Sequence, residues 1–172
     1  MLSSLPSFIL ISFPVGLCFA AVSDFHRYII PNWTSLLLIA GFAICFALSP
    51  FGVERLAHHI VVFAIALGIG FGLFCLGLWG GGDGKLLAAT ALWFTWPGAM
   101  SFMLYMSLAG GALALLMLLA YLFQDKLRRL PGLADLDFEK RRSDAPYGVA
   151  IAVGALIAFP DSEMFRALAL GG

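Results

Sequence analysis

Two aspartates stand where acids are costly. Asp24 closes one apolar run in AAVSDFHRYIIPNW, and Asp83 interrupts another in LWGGGDGKLL. An ionised carboxylate near the centre of a bilayer costs on the order of 2.5–3.5 kcal/mol, so an acid set against an apolar segment is a functional candidate. Two carboxylates brought close do not both ionise easily, and one keeps a proton near neutral pH. The ionised one can then take a proton from water while the neutral one donates to a carbonyl oxygen. Peptide hydrolysis needs this acid–base arrangement when it has neither a metal nor a covalent nucleophile. The pair titrates jointly, so the sequence does not assign the proton to either residue. The plainer role for each is an interfacial helix cap.

The flanks favour chemistry. Gly80-Gly81-Gly82-Asp83-Gly84-Lys85 lets the backbone approach closely and reach φ > 0, which residues with a Cβ resist. A carboxylate held there faces a substrate strand with little obstruction. Lys85 suits snorkelling to lipid headgroups, with modulation of the acid pair as the alternative. Pro31 and Asn32 suit the start of a helix, where proline is tolerated.

The elements that position these residues follow from composition. Of 172 residues, 62% are apolar and 12% charged, with a mean hydropathy of +0.98. Soluble domains carry about 25% charged and 45–50% apolar residues. A water-soluble globule, a disordered chain, a coiled coil and a nucleic-acid-binding domain with a basic face are thereby disfavoured. An all-α, polytopic transmembrane bundle in one domain over 1–172 is expected. A bilayer crossing takes about 20 apolar residues, and the candidate runs are 6–22, 34–48, 56–79, 86–96, 99–123 and 147–159. The fourth and sixth are short enough to be re-entrant or protein-buried, so about six spans are expected. The runs do not alternate as barrel strands do. No Lys or Arg precedes Arg27, so the first run lacks the basic start of a cleaved signal and reads as a helix.

Six spans put connections 23–33, 80–85 and 124–146 on one side. They carry Arg27, Lys85, Lys126, Arg128, Arg129, Lys140, Arg141 and Arg142, eight of the ten basic residues. Basic short loops face the cytoplasm, so both termini are expected outside and both aspartates at the cytoplasmic face. Segment 124–146 reads as a solvated cytoplasmic loop, with a short helix around 134–141. Its acids Asp135, Asp137, Glu139 and Asp144 are candidates for attracting a basic substrate segment.

Other motifs carry less. Cys18, Cys45 and Cys75 form no CxxC pair and read as small membrane-buried apolar residues, inside the bundle or facing lipid. His58 and His59 read as interfacial residues at a helix start. His26 lies two positions after Asp24, but nothing fixes it toward substrate. No metal or other cofactor is expected. The run before Gly84-Lys85 fails the phosphate-loop pattern, since Trp79 and Leu86 occupy its first and last required positions. A nucleotide ligand is therefore not expected, nor is nucleic acid. Gly68, Gly70, Gly72, Gly110 and Gly111 read as close-packing helix surfaces. Trp33, Trp79, Trp93 and Trp96 read as interfacial belts.

Gly80-x-Gly82-Asp83-x-Lys85, the earlier Asp24 with Ile30-Pro31-Asn32, and Pro146-Tyr147-Gly148-Val149-Ala150-Ile151 resemble the type IV prepilin peptidases, which are GxGD-type intramembrane aspartyl proteases. The short length is similar to the Tad/Cpa branch, which processes Flp-type prepilins. The resemblance runs from the first span to the last. It implies that Asp24 and Asp83 are the catalytic pair, with Gly80, Gly82, Lys85, Pro31 and Asn32 supporting them. It also implies a multi-pass protein of the bacterial inner membrane, working at the cytoplasmic face on a basic leader ahead of a hydrophobic pilin helix. Pilus assembly machinery is a further expected partner. Bifunctional members add a domain with paired CxxC motifs and methylate the new pilin N-terminus. No such segment appears here, so peptidase activity alone is expected. Two readings from other classes stand beside it: a non-catalytic membrane assembly factor, and a small proton-linked transporter. The transporter is disfavoured because both acids lie at one face.

Overall fold

The computed structural model describes residues 10–124 and 146–169, and all their regular structure is helical. The loop acids named above and the expected helix at 134–141 lie outside the described residues. The helices are α1 Ser12–Arg27, α2 Asn32–Leu48, α3 Val53–Cys75, α4 Gly81–Ala91, α5 Trp96–Leu122, α6 Tyr147–Ala158 and α7 Glu163–Ala169, with a 3-10 turn Phe159–Asp161 between the last two. In apolar surroundings a backbone must satisfy its own hydrogen bonds, and helices do so segment by segment.

Length sorts these helices into two kinds. α3 and α5, at 23 and 27 residues, are long and apolar enough to cross a membrane, and α6 with α7 forms a third candidate bent by 53°. At 1.5 Å per residue α3 and α5 reach about 34 and 40 Å. α4 has only 11 residues, and Gly84 and every residue from Leu86 to Ala91 are buried. α6 likewise buries Gly148, Ala150, Ile151, Ala152, Gly154, Ala155 and Ala158. The two short apolar runs are therefore the interior of the molecule. α4 packs against α2, α3 and α6, while α6 packs against α1 and α5. Their all-round apolar character suits burial among other helices.

Close packing is made at specific glycines. A Cβ on Gly70 of α3 would stand 2.6 Å from the Cα of Gly84 on α4. Only two glycines allow this backbone-to-backbone approach, which brings the start of α4 against α3. Gly68, Gly72 and Gly111 meet nothing within 4 Å, so of the expected packing glycines Gly70 makes the close contact on α3.

Several expectations change with the interior in view. Trp93 is fully buried and donates from Nε1 to the Leu38 carbonyl at 3.0 Å. It sits in an aromatic cluster with Phe13 and Phe159 and is no belt residue. Trp33 and Trp96 do stay on the surface. His59 is also fully buried, with Nδ1 2.8 Å from the Leu92 carbonyl. Its ring lies among Phe42 and Phe46, so it is an interior residue. Cys45 is buried, but Cys18 and Cys75 are exposed. The glycine run before Asp83 does not use φ > 0, since Gly77 is the glycine with a positive φ (70°) among the described residues.

One end of the bundle is tied by charge. Arg55 at the start of α3 pairs with Glu163 of α7 at 2.9 Å, and Thr95 donates to the same carboxylate at 3.2 Å. Arg55 lies 15 residues from Gly70 along α3, about 22 Å, so this tie sits at the end remote from Asp83.

Candidate active site

Asp24 occupies the last turn of α1. That helix ends at Tyr28, whose φ of 54° is the left-handed closure common at helix C-termini. The Tyr28 N–H donates to the Asp24 carbonyl at 2.8 Å. Ser23 donates from Oγ to the Ile29 carbonyl at 2.8 Å and closes the turn. Thr34 donates from Oγ1 to the Pro31 carbonyl at 2.7 Å, fixing the entry into α2. The chain thus reverses tightly, and Ile30 turns inward.

The Asp24 side chain is 5% exposed. Its Oδ2 accepts the Gly148 N–H at 2.7 Å. Gly148 lies in the first turn of α6, where backbone N–H groups have no partner within the helix and favour an anion. Asp83 is in the first turn of α4, and its Oδ2 accepts the Gly80 N–H at 3.1 Å. Each carboxylate therefore rests one oxygen on the N-terminal end of a helix: Asp83 on its own, Asp24 on another. Capping describes both, and it leaves Oδ1 of each without a hydrogen bond among the described residues.

Ile30 separates the two supports. A Cβ on Gly82 would meet the Ile30 Cβ at 3.2 Å, and one on Gly148 would meet the Ile30 Cδ1 at 2.9 Å. A single buried side chain thus fills the space between the turn that carries Asp83 and the turn that anchors Asp24. On Gly148 the added Cβ would also stand 2.8 Å from Asp24 Oδ2. Gly148→Ala is expected to displace that oxygen and slow any acid–base reaction of the pair by about tenfold to a hundredfold, the cost of an ångström-scale misplacement. Gly52→Ala, whose Cβ meets nothing within 4 Å, is the control. Rates at matched amounts of folded protein check the pair, and equal rates would count against this geometry.

Lys85 forms no ion pair with either carboxylate among the described residues. Its Nζ donates to Asn32 Oδ1 at 3.1 Å, joining the first turns of α4 and α2. His26 is exposed, with its ring edge-on to Phe25. Both carboxylates lie past the apolar runs and outside the helices long enough to span. Burial raises the Asp24 carboxyl above its ordinary range, with the Gly148 N–H acting in the opposite direction. Burial and then the neighbouring Asp24 charge push Asp83 up to about 6, against the Gly80 N–H. The Asp24 charge thus acts on the proton of a residue 59 positions away in sequence.

With α1 and α4 bringing these two acids together, comparison with protein families becomes decisive. The chain matches the type IV leader peptidase family over residues 11–115. It belongs to that family. Membership in the type IV leader peptidases makes it a peptidase, and with its apolar helices a multi-pass membrane protein. The matched stretch carries Asp24, Pro31, Asn32, Gly80, Gly82, Asp83 and Lys85, and it ends before α6. Comparison with curated proteins and with solved structures finds no match.

Sequence reasoning singled out the two aspartates and left Gly148 without a role. The signal was present: a glycine two residues after Pro146, at a helix start, leaves room for a carboxylate to reach the free N–H groups.

Proposed function

We propose that this leader peptidase is an aspartic endopeptidase of the Tad/Cpa type. It removes the basic leader from Flp-type prepilins at the cytoplasmic face of the inner membrane. Asp24 and Asp83 share one water. The observation that carries the reading is the placement of both half-anchored acids on turns that pack around Ile30, with the Asp24 charge helping to raise the Asp83 carboxyl. Gly80 holds Asp83 through its N–H, Gly82 makes room for Ile30, and Pro31, Asn32 and Lys85 seat α2 against α4.

The chemistry follows from one proton on the pair. The ionised carboxylate takes a proton from water as the oxygen attacks the scissile carbonyl carbon. The neutral carboxyl gives its proton to the carbonyl oxygen, forming a tetrahedral gem-diol. Collapse breaks the C–N bond, and a proton passes from the pair to the departing amine. No other nucleophile is required.

The sign of the pH dependence follows directly. Activity falls as pH rises through about 6, where Asp83 loses the shared proton. It falls again at low pH when the second carboxylate is protonated. That limb lies above the ordinary carboxylate range because the Asp24 carboxyl is raised as well. Purified chain incubated with an Flp-type prepilin should release a product lighter by the leader mass, with a bell-shaped rate against pH. An unchanged prepilin mass would overturn the assignment, and a profile flat from acid to neutral pH would overturn the shared proton.

A further inference from the structure

Each carboxylate is held by a peptide N–H whose preceding residue is aromatic. Gly80 supports Asp83 and follows Trp79. Gly148 supports Asp24 and follows Tyr147. The two rings meet at a tilt, with centroids 5.2 Å apart and an interplanar angle of 39°. We propose that the Trp79–Tyr147 pair is a positioning brace that sets the separation of Asp24 and Asp83. The proposal rests on the peptidase reading above and adds to it the device that holds the two carboxyl groups at one separation.

The local sequence explains why a brace is needed. α3 closes in a Schellman arrangement, with Gly77 donating to the Phe74 carbonyl at 2.9 Å and Leu78 to the Leu73 carbonyl at 3.0 Å. From there to Asp83 the chain runs Leu78-Trp79-Gly80-Gly81-Gly82. Three successive glycines offer no side chain to pin the segment, so Trp79 is the nearest one upstream of Asp83 that can. On the other side, Tyr147 opens α6 directly before Gly148. A ring contact between these points ties the α3–α4 connection to the start of α6.

The brace and Ile30 act in opposite senses. Ile30 touches the positions of both Gly82 and Gly148, so it limits how near the two supports can come. The tilted ring contact resists the parting of the two supports. Between an apolar stop and an aromatic tie, the gap has one value.

Full-length purified chain and prepilin test this in one assay. Trp79→Leu and Tyr147→Leu are each expected to lower kcat by about tenfold to a hundredfold, as for an ångström-scale misplacement, with KM within about twofold of wild type. An unchanged KM reports that the variants still fold and bind. Trp79→Phe and Tyr147→Phe keep a ring and should retain kcat within about threefold. The double Leu variant should be no worse than the poorer single one, since contacting partners are non-additive. Wild-type kcat in either Leu variant overturns the brace. So does a raised KM at unchanged kcat, which would make the rings substrate contacts. Equal damage from Tyr147→Phe and Tyr147→Leu overturns it too, by pointing to the hydroxyl, as does a double loss equal to the product of the singles. A wild-type chain that leaves prepilin intact refutes the peptidase reading instead, so the two failures are distinct.

Discussion

Asp24→Asn and Asp83→Asn should each reduce prepilin cleavage by about a thousandfold, within the range that general acid–base groups contribute. The double variant should be scarcely worse, because two residues working as a unit lose their function when either is removed. Asparagine keeps the shape and one oxygen acceptor. The bonds from Gly148 and Gly80 can therefore persist, and the fold should survive. What disappears is the ability to hold and pass a proton. Product mass measured at equal amounts of monodisperse protein separates lost chemistry from lost structure. Undiminished cleavage by both single variants would remove the aspartates from the mechanism.

The second large effect concerns the fold. α5 buries only Ala99 and Phe102, and its principal partner is α6. They approach closely at Gly154, where a Cβ would fall on the backbone N and Cα of Met106. Backbone cannot step aside as a flexible side chain can, so Gly154→Ala must part the two helices. Overpacking of this kind costs about 1–3 kcal/mol, which lowers the unfolding midpoint by several degrees in a chain of this size. Farther along the same pair, a Cβ on Gly110 would meet Ala150 at an ordinary 3.6 Å, and one on Gly111 would meet nothing. Gly111→Ala should therefore leave the midpoint unchanged or raise it. Thermal unfolding of the two variants side by side decides the matter. Equal midpoints would mean that the contact at Met106 is not what holds α5.

How much was legible in the sequence depended on what each signal reports. The aspartates were legible because an acid beside an apolar run is expensive wherever the run sits. The helical class was legible because apolar character without alternation leaves few other folds. His59, near the start of the long α3, was misplaced because its partner is a main-chain carbonyl, that of Leu92, and Trp93 for a different physical reason. Reading short runs against the thickness of a bilayer puts their ends at an interface, whereas α4 is measured against its neighbours and lies among them. The glycines around Asp83 were credited with close approach and with φ freedom; Gly82 and Gly84 use the first, against Ile30 and Gly70, and not the second. Gly148 acts through a main-chain N–H, which every residue but proline has. A backbone donor leaves no mark in composition, and only the missing Cβ hints at it.

The bond between Asp24 and Gly148 also has a schedule. Its two ends are 124 residues apart, and chains grow at about 5–20 residues per second. The first acid is therefore made some 6–25 seconds before its partner at that elongation rate. Asp83 arrives within the same interval, so both acids precede the helix that anchors one of them. A nascent chain can contain the whole pair and still have Asp24 unheld. Completion of the site waits on the short buried helix α6 to dock, which delays any cutting until the bundle is assembled.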